Sequence, residues 1–412
     1  MNVGTRFLEM MCACIRGRRV DWNEPLQEAE WDALVQLAKE QNVLPMLMEC
    51  VYDCKAFLNQ PEQWRGMIRQ VSMRMVISQT MQTAAFLTLF GKIQEAGLHP
   101  LVMKGISCRA LYPSPDSRPS SDEDLLVSRE EFPLAAAFLT EQGFESTTGE
   151  INTDREFEIG LVRRDGMYLE LHCTPFSPDS SALGDFNVFF EEAVLRANDL
   201  EVNGKSVSVM EPHDHMLYLL LHAYKHLIHS GFGVRQVCDI ILWAERYGDK
   251  IDWNLLQEQC RQVRAWKFAL SLFRIGREYL EFQVEKAGIP QEFLEEDVPY
   301  KEILEDLLDG GIYGAKDSTR QHSSTVTLRT VESERKGESY TLLQTLFPGR
   351  DKLAGRYTYL NRSALLLPVA WGQRLWGYGM ELCRNKQVSD GADSLKIGKE
   401  RVELLRKLDI ID

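Results

Sequence analysis

The sequence predicts an α+β protein, a small mixed β-sheet set between helical regions. Three observations predict it. Apolar residues recur at helical spacing up to about residue 95 and again after Pro212. Between those stretches lie short β-rich runs around Asp165-Gly166 and Asn203-Gly204, strong hairpin signals. And "DEDLLV", Asp122 to Val127, carries three acidic residues straight into an apolar strand.

Residues 1–95 read as an N-terminal helical region. Leu34, Leu37, Leu44, Leu47 and Val51 keep helical spacing, Pro45 opens a second helix, and Met67 to Ile93 forms a long run ended by Gly97. Residues 96–210 read as the α/β core. The strand Leu101–Met103 ends in Lys104-Gly105, and a short helix and a Pro/Ser-rich loop follow it. Next come the "DEDLLV" strand, a helix stopped by Gly143, and the two hairpins. Residues 211–309 read as a helical domain packing on the core, opened by Pro212. Residues 310–340 are polar and turn-rich and read as a loop or partly disordered linker, and 341–412 as a C-terminal helical segment.

At 412 residues, two or three domains are expected. The net charge of -14 argues against nucleic acid as a default partner, and no sequence-specific nucleic acid is expected. Nine scattered cysteines without CxxC spacing read as reduced thiols, which suits a cytoplasmic protein. The N-terminus has its Arg cluster after the apolar stretch, the reverse of a signal peptide. Ser363 to Cys383 approaches membrane length, but Pro368, Gln373, Arg374 and Glu381 interrupt it, so no transmembrane segment is expected. Residues 350–386 hold seven Lys/Arg against two acids, with Tyr357, Tyr359, Trp371, Trp376 and Tyr378 interleaved. Peripheral membrane contact through this segment, an acceptor-site wall at Arg356, Arg362 and Arg374, and ordinary helix packing all stay open.

Residues two apart on a strand share a face. Asp122 and Asp124 therefore project together, with Glu123 opposite. Glu170 and His172 of "MYLELHC" likewise share a face. If the two strands are neighbours, Asp122, Asp124, Glu170 and His172 converge. Two carboxylates about 5 Å apart repel by roughly 3 kcal/mol at an effective dielectric near 20. Without a cation, one would take up a proton. Magnesium, a hard cation that keeps room for phosphates, resolves the clash. A carboxylate site of this kind serves phosphoryl or nucleotidyl transfer.

The order of strand, Gly turn, helix, loop, Asp-x-Asp strand and later Glu resembles the polymerase-beta-like nucleotidyltransferase superfamily. More closely, the chain resembles the bacterial family of uncharacterised nucleotidyltransferases. The matching stretches are "LVMKGISCRALYPSPDSRPSSDEDLLV", "YLELHC", "MEPHDHMLYLLLHAYKHLIHSGFGVRQVCDIILW" and "LFPGRDKLAGRYTYLNRSALLLPVAWGQR", spread from about 30 to 380. The resemblance implies catalytic metal ligands at Asp122, Asp124 and Glu170. It also implies a phosphate-facing turn at Lys104-Gly105, with secondary phosphate contacts at Ser107 and Arg118. The superfamily's usual turn is Gly-Ser and its usual residue between the aspartates is apolar. Lys104-Gly105 and Glu123 depart from both, and Glu123 suggests a sheet end exposed on its far face.

His215, His222, His226 and His229 lie on one helical stripe. A zinc site lacks Cys or acidic partners nearby. Either the histidines are structural, or His222 and His226 line the nucleotide cleft together with His172. Arg235 and Asp239, one turn apart, read as a structural ion pair.

The expected function is Mg2+-dependent transfer, with two metal ions, of a nucleoside monophosphate from an NTP, ATP first among them, to an unidentified acceptor. The alternatives are a catalytically inactive nucleotide- or partner-binding module and a kinase-like phosphotransferase.

Overall fold

The computed structural model describes residues 2–229, 231–310, 318–335, 357, 359, 363, 366–373 and 390–412. Helices α1 (Val3–Ile15), α2 (Glu28–Glu40), α3 (Leu44–Val51), α4 (Lys55–Leu58) and α5 (Glu62–Glu95) open the chain. The sheet region follows as β1 (Leu101–Val102), α6 (Ile106–Arg109), β2 (Glu123–Leu126), α7 (Phe132–Glu141), β3 (Phe144–Ser146), β4 (Glu158–Arg163), β5 (Tyr168–His172), β6 (Asn198–Val202) and β7 (Lys205–Val209). Then come α8 (Pro212–His229), α9 (Val234–Tyr247), α10 (Trp253–Gln262), α11 (Trp266–Tyr279), α12 (Val284–Ala287), α13 (Gln291–Glu295), α14 (Tyr300–Gly310), α15 (Ser318–Arg335) and α16 (Asp390–Lys407). The architecture is α+β, as expected.

The seven strands lie in the order β3-β4-β5-β2-β1-β7-β6. Both expected hairpins form. Gly166 turns at φ 87, and Asn203 and Gly204 both take positive φ, as a two-residue Asn-Gly turn requires. β2 runs parallel to β5, with Asp124 opposite Glu170 and Leu126 opposite His172. β1 runs antiparallel to β2 on its other side.

The sheet's two faces serve two cores. Leu125, Leu169 and Leu171 face one core, with Phe86, Phe90 and Ile93 from the end of α5 and Phe132 and Leu139 from α7. Burying side chains of this size contributes about 1.5–3 kcal/mol each. Leu126 turns to the other face, into the larger core built from α1 to α3 and α8 to α11. The alternation of β2 and β5 thus sends one row of residues into apolar packing and leaves the acidic row facing α8 around Tyr218 and His222.

Residues 310–340 are not simply a loop. α15 spans Ser318–Arg335 and packs on α8 and α16. Its polar composition hid the helix, but Thr327 and Val331, four residues apart and fully buried, give it an inner face. Arg356, Arg362 and Arg374 lie outside the described residues. Among the described residues, no helix is long and apolar enough to cross a membrane.

Candidate active site

The site is built around the turn after β1. Met103 N–H donates to the Asp124 carbonyl at 3.0 Å, which fastens the start of the turn to β2. Gly105, at φ 69, caps α6. Ile106 N–H then donates to Glu123 Oε2 at 2.9 Å. A Cβ on Gly105 would stand 2.0 Å from that same oxygen, so glycine is required by both conformation and space.

Glu123 corrects one expectation. It does point away from Asp122 and Asp124, but its face is not exposed. Glu123 is 7% exposed and pairs with the buried Arg109 guanidinium. The carboxylate is carried into the core because a cation waits there.

The acidic cluster corrects a second expectation. Its charge is already offset by the chain's own cations. Lys104 Nζ lies 3.2 Å from Asp124 Oδ2 and 3.5 Å from Asp122 Oδ2. His172 Nε2 lies 3.5 Å from Asp124 Oδ1 and 3.6 Å from Glu170 Oε2, and its Nδ1 lies 3.6 Å from Glu158 Oε2. These contacts are too long to be strong hydrogen bonds, so the imidazole acts mainly as a charge among carboxylates. Burial pushes the His172 pKa down, yet Asp124 and Glu170 outweigh it and raise it to about 9. Burial likewise pushes Glu170 up, but His172 and Lys104 bring it down to about 2.

These shifts predict a pH signature in metal-free protein. His172 is raised above its ordinary 6.5, so its contribution is complete below about pH 6.5 and lost as pH rises through about 9. Glu170 is depressed from 4.5, so its contribution is present above about pH 4.5 and lost as pH falls through about 2. Melting curves of parent and His172→Gln should differ most between about pH 4.5 and 6.5 and converge toward pH 9. A constant difference from pH 6 to 9 would remove His172 from the cluster's charge balance.

Asp124, Glu170 and His172 offer ligand atoms within 4.8 Å of one another. Asp124 Oδ2 is buried and receives no hydrogen bond, despite the nearby ammonium. That oxygen and the half-buried Glu170 are hard donors of the kind magnesium takes. Asp122 reaches the group through Lys104. The imidazole suits magnesium less well than the oxygens do. The residues present therefore fit a divalent cation held chiefly by carboxylates.

The histidine stripe divides. His215 is fully buried, with its ring 3.9 Å from that of Trp243, and His213 bonds Gln259 at 2.9 Å. His222 instead lines the site, and His226 packs on it from one turn further along α8, with Nε2 atoms 2.9 Å apart; His226 is not part of the cavity lining. Lys104 Nζ lies 3.4 Å from His222 Nε2. An ammonium can only donate, so His222 Nε2 accepts and Nδ1–H faces the Tyr218 hydroxyl at 3.3 Å. Burial, then the Lys104 ammonium, holds both imidazoles well below the ordinary range and leaves them neutral near pH 7. Among the described residues no third ligand joins this pair, so it makes no zinc site.

A cavity opens beside the turn, lined by Lys104, Gly105, Arg118, Ser120, Asp122, Leu219, His222, Arg235, Gln236 and Asp239. Arg118 is expected at a phosphate site, and it lines this cavity. Its Nε and Nη2 are held by Asp239, which also accepts from the Tyr112 hydroxyl at 2.8 Å. Arg118 Nη1 is buried without a hydrogen-bond partner. The expected Arg235–Asp239 pair does not form. Arg118 takes Asp239, and Arg235 donates to the Pro119 carbonyl. Ser107 is also displaced from its expected role. It is fully buried, 3.5 Å from His215 Nε2, and does not line the cavity.

Glu158 is the site residue that sequence reading missed. Reflection through the Asp165-Gly166 hairpin would have found it. That register sets Val162 opposite Tyr168, Gly160 opposite Glu170 and Glu158 opposite His172.

An acidic strand beside a parallel Glu-bearing strand, with a glycine turn and a short helix ahead of it, is the arrangement that the sequence resemblance implies. Residues 27–281 match the family described as uncharacterised nucleotidyltransferase, and the chain belongs to that family. The crystal structure of an antigenic nucleotidyltransferase-like protein from Paracoccidioides brasiliensis is similar at 16% identity, over 52% of this chain and 97% of that one, with a TM-score of 0.32. No curated protein matches the chain.

Proposed function

We propose that the protein transfers a nucleoside monophosphate from an NTP, ATP first among them, to an acceptor hydroxyl, with Mg2+ held by Asp122, Asp124 and Glu170. The observation that supports this most is the convergence of the Asp124 and Glu170 ligand atoms within 4.8 Å, beside a cavity lined by Lys104, Arg118 and Arg235 together with Asp122 and Asp239. Bound there, Mg2+ would neutralise the triphosphate and polarise the phosphorus under attack.

The chain's own groups have separate tasks. Lys104 can turn its ammonium from the carboxylates to a phosphate oxygen as a point charge. Arg118 keeps Nη1 available while Asp239 fixes the rest of its guanidinium. Arg235 adds positive charge on the α9 side of the cavity. Neutral His222 and His226 can hydrogen-bond a nucleotide without adding charge. A carboxylate at about 2, as Glu170 is, suits holding a cation better than taking a proton from an acceptor.

One observation favours the alternative of a silent nucleotide-binding module. Lys104 already compensates Asp122 and Asp124 without a metal. Incubation with α- and γ-labelled NTPs, Mg2+ and a cell extract separates the readings. Acceptor labelled from the α position alone supports nucleotidyl transfer. Label from γ alone makes the protein a kinase-like phosphotransferase, and bound NTP with no transfer makes it a binding module.

His226→Ala tests the cleft. We expect NTP use to fall about tenfold or more, with stability reduced by less than about 1 kcal/mol. Stability lower by about 1–3 kcal/mol with unchanged nucleotide affinity would make His226 a core residue.

A further inference from the structure

We propose that Glu123, between the two aspartates, is a positioning residue for Lys104, and that the buried Arg109–Glu123 pair sets where the Lys104 ammonium reaches. This rests on the nucleotide-site reading above.

The geometry is that of a clamp. Both ends of the turn are tied to β2, Met103 N–H to the Asp124 carbonyl and Ile106 N–H to the Glu123 carboxylate, at 3.0 and 2.9 Å. Only Lys104 and Gly105 lie between the two anchors. Glu123 also fills the space beneath Gly105, where a Cβ would meet its carboxylate at 2.0 Å. The turn can therefore neither lift from the strand nor settle toward it. Its one long side chain is aimed at a fixed place, 3.2 Å from Asp124, 3.5 Å from Asp122 and 3.4 Å from His222.

Arg109 completes the clamp. It is 1% exposed and lies in the short helix that the turn opens. Its guanidinium holds the other Glu123 oxygen, so the carboxylate cannot swing away from Ile106. An apolar residue at 123 would fill the core as well, since a buried ion pair is not needed for stability. It would not grip the Ile106 amide. What the costly charge supplies is a location for Lys104.

Two variants test this without relying on catalysis. Glu123→Gln keeps the side-chain shape. Arg109→Met/Glu123→Leu replaces the pair with apolar groups and keeps the fold should the single variant fail to fold. Lys104, 16% exposed at its side chain, is pulsed with acetic anhydride and its modification followed by peptide mass spectrometry. We expect Lys104 to label several-fold faster in the variants, with the other lysines unchanged. In a second arm, Mg-ATP affinity is measured for Glu123→Gln, Lys104→Met and the two combined. Glu123→Gln should weaken binding about tenfold alone but less than about twofold beside Lys104→Met, because it acts through that side chain. Unchanged Lys104 labelling, or the same fold loss in both backgrounds, overturns the proposal. A parent that binds no Mg-ATP refutes the nucleotide reading instead, and the labelling arm then decides the positioning role by itself.

Discussion

Asp124→Asn should lower transfer at least about a hundredfold, more than the loss usual for a residue that only orients a metal ligand. It should also destabilise the metal-free fold. Charge counting on the sequence gives the opposite sign for stability, since three carboxylates crowd together and losing one brings relief. The structure reverses it. An ammonium at 3.2 Å attracts the Asp124 carboxylate by roughly 5 kcal/mol at an effective dielectric near 20, before desolvation is subtracted. Charged His172, 3.5 Å away, adds a similar attraction, and the two together exceed the roughly 6–7 kcal/mol of repulsion from two carboxylates each about 5 Å away. Asp124 is 1% exposed, and its loss leaves Lys104 and the charged His172 short of an anion. We expect a net cost of about 3 kcal/mol in chemical denaturation without metal. A variant as stable as the parent would mean that Lys104 does not compensate the cluster.

The largest loss of stability should come from Asp239→Asn. Asp239 accepts from two Arg118 nitrogens and from the Tyr112 hydroxyl, all buried. Removing one partner of such a pair strands the other charge, at a cost of about 3–5 kcal/mol. Arg235→Ala should cost less than about 1 kcal/mol, since Arg235 is not the partner of Asp239 and is not fully buried. Denaturant midpoints of the two variants decide it. Similar losses for both would restore the Arg235–Asp239 pair.

What the sequence made legible is what strand period and turn chemistry encode locally. "MYLELHC" places Glu170 and His172 on one face by alternation alone, and "DEDLLV" does the same for Asp122 and Asp124. The Asn-Gly and Asp-Gly hairpins are equally local. Partnerships across the fold were not legible. Arg118 and Asp239 are 121 residues apart, and Lys104 and His222 are 118 apart. No periodicity links them, so the nearer Arg235 stood as the partner of Asp239. Glu123 looked like the mark of an exposed edge because the cation that keeps it buried arrives from α6. The polar run over Ser318–Arg335 became a helix through packing on α8 and α16, a tertiary effect that composition does not carry.

The most direct test of the metal–nucleotide site is thermal melting of parent and Asp124→Asn, each with and without Mg-ATP. A ligand at about one hundred times its Kd stabilises the state that binds it by about 2.7 kcal/mol. The parent should show a shift of that order, abolished by chelating the Mg2+, and Asp124→Asn should show little or none. An equal shift in both proteins would mean that Asp124 does not take part in binding Mg-ATP.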